Sequence, residues 1–176
     1  MAAGGGWLAG GDGRKGAEGE RDLNDDIAIG EATEQDREWA ARLMAQSEPW
    51  ITLGRGLDKC REACGRPGYL LFVARDAGEP CGFILLHPRG VSGSPYVASI
   101  AVRESHRGLG IGTLLLNHAE DLFRPEARHI FLCVSSFNEG ARRLYERQGF
   151  EAVGEFRDYV IDGASEILMH KWLRRR

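Results

Sequence analysis

The sequence has no apolar run near the roughly 20 residues that a bilayer-spanning helix requires. Its longest, Tyr69–Ala74 and Phe83–Leu86, have the length of buried strands. The N-terminus lacks the charged-then-apolar order of a secretory leader. No excess of base is present: 23 Lys and Arg stand against 26 Asp and Glu, so the footprint of a nucleic-acid binder is missing. Arg174–Arg176 is a short basic tail that reads as a solvated chain end. There is no Cys-x-x-Cys pair and no clustered histidine. Cys60 and Cys64 lie one helical turn apart, Cys81 and Cys133 stand alone, and the five histidines are scattered, so the cysteines read as free thiols and no metal is expected. These absences leave a cytoplasmic protein, monomer or homodimer, with neither nucleic acid nor membrane as partner.

What is present is one domain's worth of ordinary globular sequence, 43% apolar and 28% charged. Residues 1–26 are rich in glycine and charge and bury too little to offset their ordering entropy; they read as a flexible arm ahead of a domain at 27–176. Ile27–Ile29 reads as a short strand. Thr33 with Asp36 three residues on opens a helix as a variant capping box, and Trp39, Ala40, Leu43 and Met44 mark its apolar face. A second helix is expected at Leu57–Cys64, closed by Gly65 and Pro67. Strands follow at Tyr69–Arg75 and Cys81–His87 as a hairpin, then at Tyr96–Arg103 after a loop at Pro88–Pro95. Next come a helix at Gly110–Phe123, a strand at His129–Ser135, a helix at Asn138–Gln148, and strands at Phe150–Arg157 and Glu166–Leu173. The order βααβββαβαββ predicts a mixed α/β (α+β) layered fold with helices on both faces of a sheet.

The most informative segment is Arg107-Gly108-Leu109-Gly110-Ile111-Gly112, between a strand and an amphipathic helix. The first turn of a helix presents backbone N–H groups without intrahelical partners, its dipole adds positive potential, and glycines let backbone close on a phosphate. A dinucleotide fingerprint needs Gly-x-Gly-x-x-Gly, but the sixth position is Thr113 counted from Gly108 and Leu115 counted from Gly110. A nucleotide P-loop needs Gly-Lys-Ser/Thr, which is absent. A glycine turn without a ligand is the plain alternative; the pattern that fits is Arg/Gln-x-x-Gly-x-Gly/Ala.

With Ser99-Ile100-Ala101-Val102 before this segment and Asn138-x-x-Ala141-x-x-Leu144-Tyr145-x-x-x-Gly149-Phe150 after it, the chain from Ile27 to Leu173 resembles the GNAT superfamily of N-acetyltransferases. The resemblance implies a mostly antiparallel sheet whose parallel strands, Tyr96–Arg103 and His129–Ser135, splay to admit acetyl-CoA. It implies main-chain contacts from Ile100, Ala101 and Val102 to the pantetheine arm. Amides from Leu109 to Gly112, with Gly108 and the charge of Arg107, take the pyrophosphate. Asn138 lies beside the cofactor and caps the following helix; Tyr145 is placed near the sulfur as proton donor, with a core role as its bland reading. The implied reaction is direct attack of a primary amine on the thioester in a ternary complex, with the Val102 N–H as oxyanion donor and without Cys133 as a nucleophile. Phe150 is expected only to pack.

The C-terminal segment is distantly like that of ribosomal-protein alanine N-acetyltransferases, and Tyr159 matches their groove tyrosine. Cys133 stands where those enzymes carry a glutamate base, and Glu104 where proline is common. Glu104, Asp158 and His87 are alternative bases, each read more readily as a solvated surface residue, and no base is established from sequence. Trp50 and Tyr159 are expected to bind the acceptor, a small-molecule amine or a protein N-terminus, with a core role for Trp50 equally open. A non-catalytic acetyl-CoA-binding or sensing module, and an enzyme for another acyl-CoA, are the competing functions.

Overall fold

Alternation along the central strands divides their side chains between two faces. In a computed structural model, which describes residues 26–174, each face carries its own pair of helices. The arm expected at 1–26 lies, but for Asp26, outside the described residues. The elements are β1 (Ile27–Glu31), α1 (Glu34–Ala45), α2 (Leu57–Cys64), β2 (Leu70–Asp76), β3 (Glu79–Val91), β4 (Ser94–Val102), α3 (Ile111–Phe123), β5 (His129–Ser135), α4 (Glu139–Arg147), β6 (Glu151–Arg157) and β7 (Ser165–Trp172). The strands form one seven-stranded sheet in the order β1-β2-β3-β4-β5-β7-β6. All neighbours are antiparallel except β4 and β5. Both the expected element order and the expected mixed sheet are found.

Phe72, Ala74, Ile84, Leu86, Ile130, Leu132, Val134 and Met169 turn to α3 and α4, where Ile111, Leu115, Leu116 and Tyr145 meet them. The alternate residues Leu71, Val73, Phe83 and Leu85 pack on Ala40, Ala41 and Met44 of α1, Cys60 and Cys64 of α2, and Trp50. Period 2 in the strands thus builds two cores from one sheet. The capping box at α1 is present: the Asp36 N–H donates to Thr33 Oγ1 at 3.2 Å and the Thr33 N–H to Asp36 Oδ2 at 2.8 Å. Arg75 of β2 donates to the same carboxylate at 2.6 Å, which ties the helix to the sheet. Burial works against ionisation of Asp36, yet the Thr33 hydroxyl and N–H and the Arg75 guanidinium hold its carboxyl below the ordinary range.

One stretch differs from the sequence reading. Pro88 and Pro95 suggested a loop, but β3 runs on to Val91 and β4 begins at Ser94. Ser92 and Gly93 both take positive φ, 47° and 78°, the two-residue geometry that suits hairpin twist. Pro88 is tolerated because the ladder is irregular between His87 and Val91.

The feature that positions the site is the short parallel ladder. β4 and β5 pair only at Tyr96↔Phe131 and Val97↔Leu132. Immediately afterwards β4 carries an extra residue against β3, since Leu86 faces Val97 while Leu85 faces Ser99, leaving Ala98 as a bulge. A bulge bends its strand and strengthens the twist. Beyond it the two strands part.

Candidate active site

A cleft of about 1100 Å³ occupies the gap between β4 and β5 and opens toward both helical layers. Its β4 wall is main chain. The Arg103 N–H donates to the Cys81 carbonyl at 2.8 Å, which marks that opposed pair as hydrogen-bonded. Because bonded and non-bonded pairs alternate in an antiparallel ladder, Ala101 spends its main-chain groups on Phe83. Those of Ile100 and Val102 point away from β3 into the gap. The Val102 carbonyl accepts a bond from Arg107 Nε at 3.3 Å.

The α3/α4 end of the cleft is built from the glycine segment. Gly108 and Gly110 have φ of 80° and 82°, a region that costs other residues about 1–2 kcal/mol. Gly110 is the N-cap of α3 and supplies no side chain, so the first amides of the helix are left open. The first turn holds no acidic residue to compete with an anion. Arg107, Gly108, Gly110, Ile111 and Gly112 all border the cleft. Leu109 turns its side chain outward, and that of Ile111 is buried in the core, so either would act through its backbone. Gly112 has a second reason to be glycine: a Cβ there would stand 3.0 Å from Leu144 Cδ2, where α3 and α4 cross closely. Arg147 adds a cation at this rim that sequence reasoning missed. The segment therefore fits a pyrophosphate by its open amides, its shape and its charge.

Asn138 caps α4, accepting from the Ala141 N–H at 3.3 Å, and borders the cleft with Ala141 and Leu144. Tyr145 is 6% exposed, packs against Phe150 with ring centroids 6.1 Å apart, and still reaches the cleft wall. Burial holds its phenol well above the usual phenol range.

The α1/α2 end has different chemistry. Cys133 and Ser135 lie on the face of β5 opposite the Ile130–Val134 core row, and Tyr96 shares that face. Burial pushes the Cys133 thiol up; the adjacent Tyr96 hydroxyl opposes the shift and the Glu166 charge adds to it. Burial, then Cys133, raises the Tyr96 phenol also. Neither is a nucleophile or base near neutrality. Ser135 donates to Glu166 Oε1 at 2.5 Å across the β5–β7 pair. Phe156 stands opposite Glu166 on β6 and meets the Tyr159 ring at a tilt, centroids 5.5 Å apart; all three border the cleft. Tyr159 is 72% exposed, a free rim residue, whereas Trp50 is 6% exposed and belongs to the second core with one edge on the cleft.

Of the bases considered from sequence, only His87 borders the cleft, with its ring on Tyr69 at 4.5 Å. Glu104 sits on an exposed 3-10 turn off the cleft, and the Asp158 carboxylate is engaged with the Gly163 N–H at 2.7 Å. Among the described residues no group of three or more His, Cys, Asp or Glu side chains could hold a metal ion, and no helix is long and apolar enough to cross a membrane.

The model of the Acetyltransferase (GNAT) family matches residues 32–150, which contain the splayed strands, the glycine segment and α4. This chain belongs to the GNAT family. An N-alpha-acetyltransferase of Sulfurisphaera tokodaii is 37% identical over 112 residues, covering 56% of this chain and 66% of that protein, just under two thirds. An aminoglycoside 6'-N-acetyltransferase solved with coenzyme A has a TM-score of 0.71 at 20% identity, over 85% of this chain and 98% of that one. Arabidopsis thaliana NAA60 in complex with acetyl-CoA has a TM-score of 0.68 at 18% identity, over 83% and 98%. At those identities the solved structures speak for the fold alone. The GNAT fold expected from the sequence is thereby established for this chain.

Proposed function

We propose that this GNAT protein transfers the acetyl group of acetyl-CoA to a primary amine by direct attack in a ternary complex. The observation that carries the reading is the parted β4–β5 pair, with the free main chain of Ile100 and Val102 on one wall and the open amides of α3 at one end. The amides from Leu109 to Gly112, with Gly108 and Arg107, would hold the pyrophosphate. Ile100, Ala101 and Val102 would line the pantetheine arm, with Asn138 beside it. Acetyl-CoA would supply an already activated acyl thioester, so the protein needs no covalent intermediate of its own.

The Val102 N–H, unspent on β3, is the oxyanion donor. Tyr145, buried and neutral, is the proton donor for a departing thiolate. Trp50 and Tyr159 line the acceptor side. Likeness to an N-alpha-acetyltransferase supports a peptide α-amine as acceptor, and a small-molecule amine is the alternative within the same chemistry. An α-amine of pKa near 8 is roughly one-tenth neutral at pH 7, whereas a lysine near 10.4 is under roughly one-thousandth. Calorimetric titration with coenzyme A and acetyl-CoA tests the donor, with micromolar affinity expected. Thiol release on peptides, amino acids and polyamines tests transfer, and a comparison of acyl-chain lengths tests the donor's acyl group. Absence of binding removes the reading; binding with no turnover on any amine leaves a sensing module.

A further inference from the structure

An acetyltransferase cleft needs a group that receives the proton of an ammonium acceptor; of the residues named for this from sequence, Glu104 and Asp158 are off the cleft or engaged, and His87 borders it but carries no negative charge to hold an ammonium ion. The anionic groups bordering the cleft are Glu48 and Glu166. Glu48 is exposed and its Oε2 accepts from the Thr52 N–H at 3.2 Å, which commits it to the turn after α1. Glu166 is different. It is half-buried on β7, beside the point where β5 leaves β4, and among the described residues its hydrogen-bond partner is a hydroxyl rather than a cation. A half-buried carboxylate held by one neutral donor retains most of its capacity for a positive charge.

The groups facing Glu166 come from each neighbouring element. β5 offers the Ser135 hydroxyl and, one same-face position back, the Cys133 thiol; β4 offers the Tyr96 phenol. β6 offers the Phe156 ring, and the following loop Tyr159. On β7 itself Leu168 follows on the same face and His170 lies beyond it, bonded to His129 at 2.8 Å. Thiol and phenol are both held neutral by burial, so the carboxylate is the anion of this group and its surroundings are aromatic. A carboxylate bordered by ring faces is the chemistry that receives an alkylammonium ion.

We propose that Glu166 binds the acceptor as its ammonium ion and takes the proton that frees the nitrogen lone pair, an inference that rests on the acetyl-transfer reading above. One proton passes from nitrogen to the Glu166 carboxylate and on to solvent. The lone pair forms the N–C bond as the C–S bond breaks, and the second nitrogen proton neutralises the departing sulfur by way of Tyr145. Ammonium and thioester thus become amide, thiol and one released proton. Ser135 is a positioning residue that fixes one carboxylate oxygen.

Glu166→Gln separates this role from a structural one, because the amide oxygen still accepts from Ser135. The variant is expected to keep its melting temperature and to bind acetyl-CoA within about twofold of wild type, while kcat/KM on free-N-terminus tetrapeptides or small amines falls about 100-fold or more. The pH profile gives a second readout. On the tetrapeptides, wild type, binding the ammonium form, should have its acidic limb well below the α-amine's own pKa of about 8; in the variant the rate should climb through about pH 8 instead. A variant within threefold of wild type with an unmoved limb overturns the assignment. If Glu166→Gln does not fold, Ser135→Ala decides. Loss of the hydroxyl should move the wild-type limb to higher pH, and an unmoved limb overturns it. An active wild type whose Glu166→Gln variant is unchanged refutes the Glu166 role alone, whereas wild-type protein that binds coenzyme A yet acetylates no amine removes the acetyl-transfer reading on which that role rests. Protein that binds no coenzyme A removes the acetyl-transfer reading as well.

Discussion

Proline substitutions at two adjacent positions of β4 should have opposite consequences. Ala101 donates its N–H to β3, opposite Phe83, while the Val102 N–H faces the gap left by β5. Ala101→Pro removes a ladder bond and leaves the carbonyl of fully buried Phe83 without its donor, a loss of about 1–3 kcal/mol, to which the ring's clash with β3 adds about as much again. For a domain of this size a total loss of about 2–6 kcal/mol lowers the melting temperature by roughly 4–24 °C. Val102→Pro removes no sheet bond and projects its ring into the cleft, so its stability change should stay within about 1.5 kcal/mol. What it loses is the oxyanion donor, and such deletions reduce kcat by about 100- to 1000-fold. Thermal denaturation followed at 222 nm and initial thiol-release rates at saturating acetyl-CoA measure the two effects. If Val102→Pro melts as early as Ala101→Pro, the assignment of bonded and free pairs along β4 is wrong. If it folds but keeps more than a third of kcat, the oxyanion role is refuted.

Tyr145→Phe should preserve acetyl-CoA affinity within about threefold and lower kcat by roughly 10- to 100-fold, read from calorimetry and steady-state rates, since the ring's packing on Phe150 survives and only the hydroxyl is lost. An unchanged kcat would return Tyr145 to a packing role. Asp36→Asn loses the charge facing Arg75 and weakens the α1 cap; with Arg75 a quarter exposed, about 2–3 kcal/mol of stability is expected to go, checked by urea unfolding. Because the folded-state pKa of Asp36 is depressed, its contribution is present above about pH 4 and disappears as pH falls through the folded value. The difference between wild type and variant should therefore shrink below pH 4.

The legible parts of the fold are those written in local sequence. Thr33 and Asp36 announce α1 because both partners of a capping box lie within four residues. The left-handed Gly108 and Gly110 announce the start of α3 because few other residues hold that backbone cheaply. Pro88 and Pro95 mislead for the converse reason: their local preference is overridden by pairing between strands, and Ser92-Gly93 is the turn. Arg147 and Glu166 were missed on the same ground. Glu166 alternates with Ile167 and Met169, which face the core, so in isolation it reads as the solvent side of a strand. Only the register Ser135↔Glu166, joining residues 31 apart, brings it to the cleft.

That register also indicates the direction from which the acceptor approaches. Cys133, at the position where the resemblance to alanine-type acetyltransferases implies a glutamate, pairs with Leu168. Glu166 is one same-face step along and one strand over, a diagonal backbone displacement of about 8 Å at sheet spacings, of which about 5 Å is toward β6. A base displaced that way places the ammonium group nearer Phe156 and Tyr159 than Trp50. Tyr159, 72% exposed and tilted against Phe156, should then contribute a ring face to a cation, worth about 0.5–2 kcal/mol. Tyr159→Ala should raise the acceptor KM about 3- to 30-fold with acetyl-CoA affinity unchanged. Trp50→Phe should instead appear mainly as lost stability, because that ring is packed in the second core with only an edge on the cleft. If Trp50→Phe raises the acceptor KM and Tyr159→Ala does not, the acceptor enters over α1 and α2, and the base must lie on that side too.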